Sequence, residues 1–114
     1  MYKDDFKELT IENENFRKVL FTGKHSQLVA MCIAPNEDIG EEVHKDTDQI
    51  LFFIEGVGEA IIEGKARQIG ADDVVFVPAG IKHNFQNIGT GNLKLLSIYA
   101  PPEHEDGLIE KTKK

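Results

Sequence analysis

The sequence is poor in the features that mark secreted, membrane-spanning and nucleic-acid-binding chains. Its only cysteine, Cys32, cannot form a disulfide within the chain, and its place in the apolar run LVAMCIA predicts a buried side chain. No window approaches the roughly 18 apolar residues of a membrane-spanning helix, and the charged start MYKDDFKELT lacks a secretory core. A net charge of −7 without a basic patch argues against nucleic acid or an anionic membrane as a partner. We therefore expect a cytoplasmic protein.

What the chain does contain is a series of short apolar runs separated by glycine, a pattern typical of an all-β sandwich or barrel. QILFFIEG is the strongest strand signal because it is rich in Ile and Phe. GEAIIEGKARQIG predicts a hairpin that turns at Glu63-Gly64. Strands are predicted within residues 16–23, 26–35, 49–56, 58–70, 73–80, 83–89 and 93–102. Only the first 14 residues and the last dozen could form short helices.

The length of 114 residues fits one domain, and no repeat or linker divides the chain. We expect a single domain over residues 1–114 with a barrel core at about 16–100, an N-terminal arm at 1–15 and a C-terminal tail at 101–114. In QILFFI, Gln49, Leu51 and Phe53 would face one way and Ile50, Phe52 and Ile54 the other. Since both faces are then apolar, a second subunit is expected to cover the outer one, and a homodimer is predicted.

Two distant segments could deliver histidines to one end of such a barrel. In EEVHKDTDQ, Glu42 and His44 are two residues apart and would share a strand face, and Gln49 follows just before the strongest strand. His83 follows a Pro-Ala-Gly turn. Two imidazoles and a carboxylate would give a divalent metal three ligands, with the Gln49 carbonyl as a fourth and open positions for substrate. The alternative is that the charged run is solvated and both histidines are ordinary surface residues.

The spacing of these residues resembles the cupins, which are small double-stranded β-helix, or jelly-roll, barrels. Gly70, seven residues, Pro78-Ala79-Gly80, two residues, His83, three residues and Asn87 match every element of the second cupin motif. The first motif is matched in spacing but not in type, because Glu42 stands where the family has its first histidine and Gln49 where it has glutamate. The whole run from about Phe16 to Gly107 is similar to small single-domain cupins described as mannose-6-phosphate isomerase-like.

The resemblance implies that His44 and His83 are metal ligands and that Glu42 and Gln49 occupy the other two ligand positions. The two substitutions leave the charge of the ligand set at −1, because one adds the anion that the other removes. The expected cofactor is a divalent metal ion, namely zinc, iron, manganese or nickel. Gln49 is the weakest ligand of the set, and it could instead hydrogen-bond a metal-bound water.

Several further residues could line a substrate pocket at the barrel mouth. Phe53, Phe76, Phe85 and Tyr99 would give it apolar walls, although each could equally be a core residue. His104 follows the last strand, where the tail could fold over the mouth.

Three functional interpretations follow for such a chain. It could be a metal-dependent isomerase, oxygenase or decarboxylase for a small polar molecule, a small-molecule or sugar-binding module without turnover, or a barrel whose histidines bind nothing.

Overall fold

A computed structural model describes residues 1–113 as a β structure with one short helix. In this part of the chain the elements are α1 (Phe6–Glu12), β1 (Arg17–Thr22), β2 (Gln27–Ile33), β3 (Asp48–Glu55), β4 (Val57–Ile62), β5 (Lys65–Gly70), β6 (Val74–Val77), β7 (His83–Asn87), β8 (Leu93–Ala100) and β9 (Ile109–Glu110). Asp5 caps α1 by accepting a hydrogen bond from the Glu8 amide. No helix among these residues is long and apolar enough to cross a membrane.

The strands form two sheets whose pairing is antiparallel throughout. The larger sheet has the order β6-β3-β8-β2-β1-β9 and the smaller one the order β5-β4-β7. Neighbours in the larger sheet, such as β3 and β8, are far apart in sequence, as the double-stranded β-helix requires. The predicted all-β jelly-roll barrel is confirmed.

The predicted hairpin is also present, with β4 and β5 joined at Glu63-Gly64. Both turn residues have positive φ, 51° and 80°, as a two-residue hairpin turn demands. Gly56 has φ 99°, and a Cβ there would lie 2.4 Å from the Asn92 carbonyl oxygen. Only glycine fits at this close approach of two chain segments.

The core lies between the sheets and is built by strand alternation. On β3 the inward-facing Gln49, Leu51 and Phe53 are each at most 1% exposed. On the outer face Ile50 and Ile54 are half-buried and Phe52 is 36% exposed. The outer face is therefore apolar as predicted, but this chain alone does not bury it.

The two ends of the chain differ from each other. The N-terminal arm contains a short helix, α1, as its sequence allows. Lys94 of β8 donates a hydrogen bond to the Ile11 carbonyl within that helix. The C-terminal tail forms no helix in the described residues up to 113, so the suggestion of one there is wrong. It forms the short strand β9 instead, which pairs with the start of β1.

Asn87, the last residue of the second motif, has a structural role. Its side chain is buried, and the Nδ2 amide donates to the carbonyls of Ile33 and Gly91, both at 2.8 Å. Its Oδ1 accepts from the Gly89 amide at 2.9 Å. The side chain thus joins the end of β7 to the end of β2 and to the following turn.

Replacement of Asn87 with Ala is expected to lower the free energy of unfolding by about 2–4 kcal/mol, because it leaves buried backbone groups without partners. Urea denaturation followed by circular dichroism measures the change. The matched control is Gln68→Ala on the exposed strand β5, expected within about 0.5 kcal/mol of wild type. Equal effects of the two substitutions would show that the Asn87 contacts contribute nothing.

Candidate metal centre

Backbone pairing brings the two histidine-bearing segments together. The Glu42 amide donates to the His83 carbonyl at 2.8 Å, and the His83 amide donates back to the Glu42 carbonyl at 2.9 Å. The Gly80 amide donates to the His44 carbonyl at 2.8 Å, so the Pro-Ala-Gly turn fixes the same segment a second time. Gly80 has φ 85°, which suits glycine in this turn. The segment around Glu42 therefore extends the sheet beside β7.

The side chains of Glu42, His44 and His83 converge at this point. Each offers one ligand atom, and these atoms all lie within 4.8 Å of one another. The His44 Nε2 lies 3.3 Å from Glu42 Oε1, and the His44 and His83 ring centroids are 5.2 Å apart. His83 is 2% exposed, and the side chains of His44 and Glu42 are 9% and 30% exposed. Three of the four sequence-predicted ligands thus form one largely buried cluster.

Three buried atoms of this cluster make no well-formed hydrogen bond among residues 1–113: Glu42 Oε1 and His44 Nε2, which contact each other at 3.3 Å, and His83 Nε2. Buried polar atoms without partners are costly, and native proteins rarely contain them without a reason. Two imidazole nitrogens and a carboxylate oxygen are a donor set that divalent first-row metals accept. The residues present therefore fit a metal ion.

The other nitrogen of each histidine is held by a partner that fixes the ring. His83 Nδ1 lies 2.9 Å from the Ile81 carbonyl oxygen, and His44 Nδ1 lies 3.4 Å from Glu103 Oε2. A proton on Nδ1 that faces an oxygen leaves the Nε2 lone pair free, which is the arrangement that metal-binding histidines use. Both rings therefore present Nε2 to the centre.

Gln49, the fourth sequence-predicted ligand, is 1% exposed and its amide is oriented by two neighbours on β8. Its Nε2 donates to Ser97 Oγ at 3.0 Å and to Tyr99 Oη at 3.1 Å. Its carbonyl Oε1 is buried and unpartnered within residues 1–113. The free atom of Gln49 is therefore the one that could contact a metal ion or a metal-bound water.

Electrostatics couples Glu42 to His44. Burial raises the pKa of Glu42, but the polar contact with His44 and its charge, together with the charges of Arg17 and His83, lower it below its ordinary value. The carboxylate of Glu42 raises the pKa of His44 against the effect of burial, and Glu103 adds to the rise. Without metal, these two groups therefore favour an ion pair.

The aromatic residues proposed for the pocket divide into two groups. Phe53 and Phe85 are at most 1% exposed, with ring centroids 5.7 Å apart, and the Phe85 ring lies 6.0 Å from that of His83. They form an apolar floor beside the cluster. Phe76 pairs with Ile50 on the outer face of the sheet and is 55% exposed. Its expected place in the pocket is wrong, because strand alternation turns its neighbour Val77 inward instead.

The C-terminal tail lies beside the site, where Glu103 contacts His44. The His104 ring packs edge-on against Tyr99 at 4.9 Å, and Tyr99 in turn packs edge-on against His44 at 5.7 Å. Gln27 fixes the tail, since its Nε2 donates to the His104 carbonyl at 2.7 Å and its Oε1 accepts from the amides of Glu103 and His104 at 3.1 and 3.0 Å. The roles of Glu103 and Gln27 were not predicted from the sequence. The only sequence feature that could have pointed to Glu103 is its position next to His104.

Comparison with known proteins agrees with this architecture. Residues 29–99 match the family model described as the cupin domain. The chain belongs to the cupin family. In this chain the segment with the first cupin motif, which contains Glu42, pairs with the segment with the second motif, which contains His83.

Similar proteins span much of the chain. An uncharacterised protein of Bacillus subtilis, YrkC, is 42% identical over 111 residues, which cover 91% of this chain and 59% of that protein. The crystal structure of BH2720 from Bacillus halodurans is 36% identical with a TM-score of 0.95, covering 96% of this chain and 88% of that one. A Thermotoga maritima structure described as a predicted oxalate decarboxylase is 27% identical with a TM-score of 0.65. The match covers 68% of this chain and 67% of that one.

The pKa shifts predict how the metal-free cupin responds to pH. The raised pKa of His44 contributes stability that is present below pH 6.5 and lost as pH rises through the shifted value. The lowered pKa of Glu42 contributes stability that is present above pH 4.5 and lost as pH falls through the shifted value. The contribution of this pair should therefore be greatest between these two values. Metal binding should strengthen as pH rises, because the metal displaces the His44 proton.

Thermal unfolding of chelator-treated protein across this pH range, with metal titrations at each pH, measures both effects. The matched control is Glu42→Gln, which keeps the side-chain shape and removes the charge. It should flatten the loss of stability that accompanies a rise in pH above 6.5. An unchanged pH profile in that variant would exclude the Glu42–His44 pair as its source.

Proposed function

We propose that this cupin is a divalent-metal-dependent enzyme that acts on a small polar molecule, by isomerase, oxygenase or decarboxylase chemistry. The observation that carries the proposal is the convergence of three buried donor atoms from Glu42, His44 and His83, none of which makes a well-formed hydrogen bond within residues 1–113. Three protein ligands leave open positions on a metal for water or substrate, as catalytic sites need.

The residues around the cluster suit that role. A bound divalent metal would polarise a carbonyl or stabilise an enolate, and the nitrogen and oxygen donors suit zinc, iron, manganese or nickel. Burial raises the pKa of Tyr99 to about 12, so its phenol stays protonated at neutral pH. Gln49 offers an oriented carbonyl oxygen. Phe53 and Phe85 keep bulk water from the inner side of the centre.

The similarity to the Thermotoga maritima structure described as a predicted oxalate decarboxylase supports a small organic acid as one substrate class. The resemblance to mannose-6-phosphate isomerase-like cupins supports a sugar isomerase instead. The alternative function is a non-catalytic small-molecule or sugar-binding cupin. One observation favours it: Glu42 and His44, which could otherwise carry protons, would both be occupied as ligands.

The metal site is tested by elemental analysis of purified protein and of two histidine variants. Wild type should hold about one equivalent of metal. The His83→Ala variant should hold little metal, because a metal site loses most of its affinity when one of its protein ligands is removed. The matched control is His25→Ala, whose histidine is exposed in the turn between β1 and β2, and it should hold as much as wild type. Stoichiometric metal in the His83 variant would count decisively against this site.

Turnover separates the enzyme from the binding module. The metal-loaded protein is assayed with small acids, sugar phosphates and oxygen uptake, with the His83→Ala variant as the blank. Turnover that follows the metal content supports the enzyme, and saturable ligand binding without turnover supports the module.

We also propose that the protein is a homodimer joined through an outer patch, which we define as Ile50, Phe52, Val74 and Phe76. These residues lie on paired positions of the outer faces of β3 and β6. Phe52, Val74 and Phe76 are 36%, 57% and 55% exposed, which is a large apolar surface to leave in water. A second copy that places its own outer patch against this one would cover both by two-fold symmetry.

Small-angle scattering should give the mass of a dimer for wild type and of a monomer for the double variant V74E/F76E, because four buried carboxylates would oppose the interface. The matched control is Val57→Glu, an exposed apolar position, 40% exposed, on the smaller sheet. It should leave the dimer intact. A monomeric wild type would refute the proposal.

A further inference from the structure

Two further buried polar atoms are not used by the proposed ligand set. Arg17 Nε and His104 Nε2 have no hydrogen-bond partner within the first 113 residues. They come from β1 and from the C-terminal tail, whereas the three candidate ligands come from β7 and the segment that pairs with it. Strand β1 and the tail thus each contribute one buried polar atom that the metal-ligand set does not explain.

Arg17 is an unusual residue for its position. It pairs with Met31, and its neighbour Val19 pairs with Val29, so strand alternation directs Arg17 toward the barrel interior with them. Its side chain is 11% exposed, and arginine is seldom buried without compensation. Nη1 is paired with Glu110, and the guanidinium lies 5.1 Å from the Phe16 ring centroid. This ion pair uses one edge of the guanidinium and leaves Nε–H available.

Arg17 is close enough to His104 to act on it electrostatically. Burial lowers the pKa of His104, and the charge of Arg17 lowers it further. The His104 ring packs edge-on against Tyr99, which packs edge-on against His44, so the side chain that Arg17 affects is separated from a candidate metal ligand by one aromatic ring.

We propose that Arg17 and His104 bind the carboxylate of a small organic acid whose other end lies at the metal, an inference that rests on the proposed function. A guanidinium edge donates directed hydrogen bonds that match a planar carboxylate. The His104 ring, held by Tyr99 and by the Gln27 contacts to its backbone, adds a hydrogen bond from the tail side. Without an acceptor group from the substrate, the buried Nε–H of Arg17 would keep no hydrogen-bond partner, since Glu110 pairs only with Nη1.

A purely structural role for Arg17 is the competing explanation, since its ion pair with Glu110 joins β1 to β9. The two explanations differ in what Glu110→Gln does. If Arg17 serves only that ion pair, Glu110→Gln and Arg17→Met should change the protein alike. If Arg17 binds substrate, only Arg17→Met should lose affinity for an acid.

Titration calorimetry of the metal-loaded protein with pyruvate and succinate, compared with the neutral esters methyl pyruvate and dimethyl succinate, tests the proposal. The ester keeps the carbon skeleton and removes the anion. Wild type should bind at least one acid more tightly than its ester. Arg17→Met should lower the affinity for that acid by roughly 10- to 100-fold and leave the ester unchanged. Arg17→Lys, which keeps the charge but not the planar edge, should lose less.

The matched control is Lys18→Met, which removes the adjacent cation on the opposite side of β1, and it should bind as wild type does. Metal content and thermal unfolding are measured for every variant, and Arg17→Lys decides the test if Arg17→Met does not fold. Wild type that contains no metal would refute the proposed function itself. Metal-loaded wild type that binds acid and ester equally, that binds neither acid, or that prefers mannose 6-phosphate would overturn only the carboxylate site.

Discussion

The reciprocal backbone pairing between Glu42 and His83 is the constraint on which the site depends. It is an isolated antiparallel bridge outside the named strands, yet it positions candidate metal ligands that are far apart in sequence. The pairing places Glu42 directly across from His83 on one side-chain face, and alternation then returns His44 toward the same region. Because backbone groups make the bridge, its geometry does not depend on which side chain occupies position 42. That independence explains how a glutamate can stand where the family has histidine.

The two substitutions in the first cupin motif are consistent with each other in charge. A set with a histidine at 42 and a glutamate at 49 would carry one anion, and the present set carries one as well. The negatively charged residue stands at position 42, where the Glu42 side chain is 30% exposed, instead of at position 49 on β3, where Gln49 is 1% exposed. A neutral amide at the more buried position avoids the desolvation cost of a carboxylate there. It also allows the hydrogen bonds from Nε2 to Ser97 and Tyr99, which a carboxylate could accept but not donate.

Most of the fold could be read from local patterns. Glycine-punctuated apolar runs located the strands, and the ligand positions followed from residue spacing in the two motifs, because a period of two fixes which side chains share a face. Phe76 was misplaced because every residue of VVFV is apolar, so hydrophobicity cannot tell its inward from its outward positions. Only the pairing of Gln49 with Val77 resolves that choice. Arg17 was missed for a related reason. In FRKV it precedes a second cation, so the sequence does not show which of the two faces the interior. Only the pairing of Arg17 with Met31 on β2 shows that it does.

The tail illustrates a limit of a different kind. PPEHEDG has no periodicity, so its path depends on long-range contacts such as those of Gln27, 77 residues away from His104 in the sequence. Those contacts fix the backbone of Glu103 and His104 while leaving His104 Nε2 without a partner in the described residues. The hydrogen bonds of Gln27 therefore hold the tail backbone in place but leave a polar side-chain atom of the tail, His104 Nε2, unsatisfied. Such an arrangement is destabilising in isolation, and a ligand that satisfies that atom would stabilise the folded state by an amount that grows with the logarithm of its concentration relative to its Kd. Stability and binding are thus linked at the same few side chains, since the atoms that weaken the empty barrel are the ones through which metal and substrate would be held.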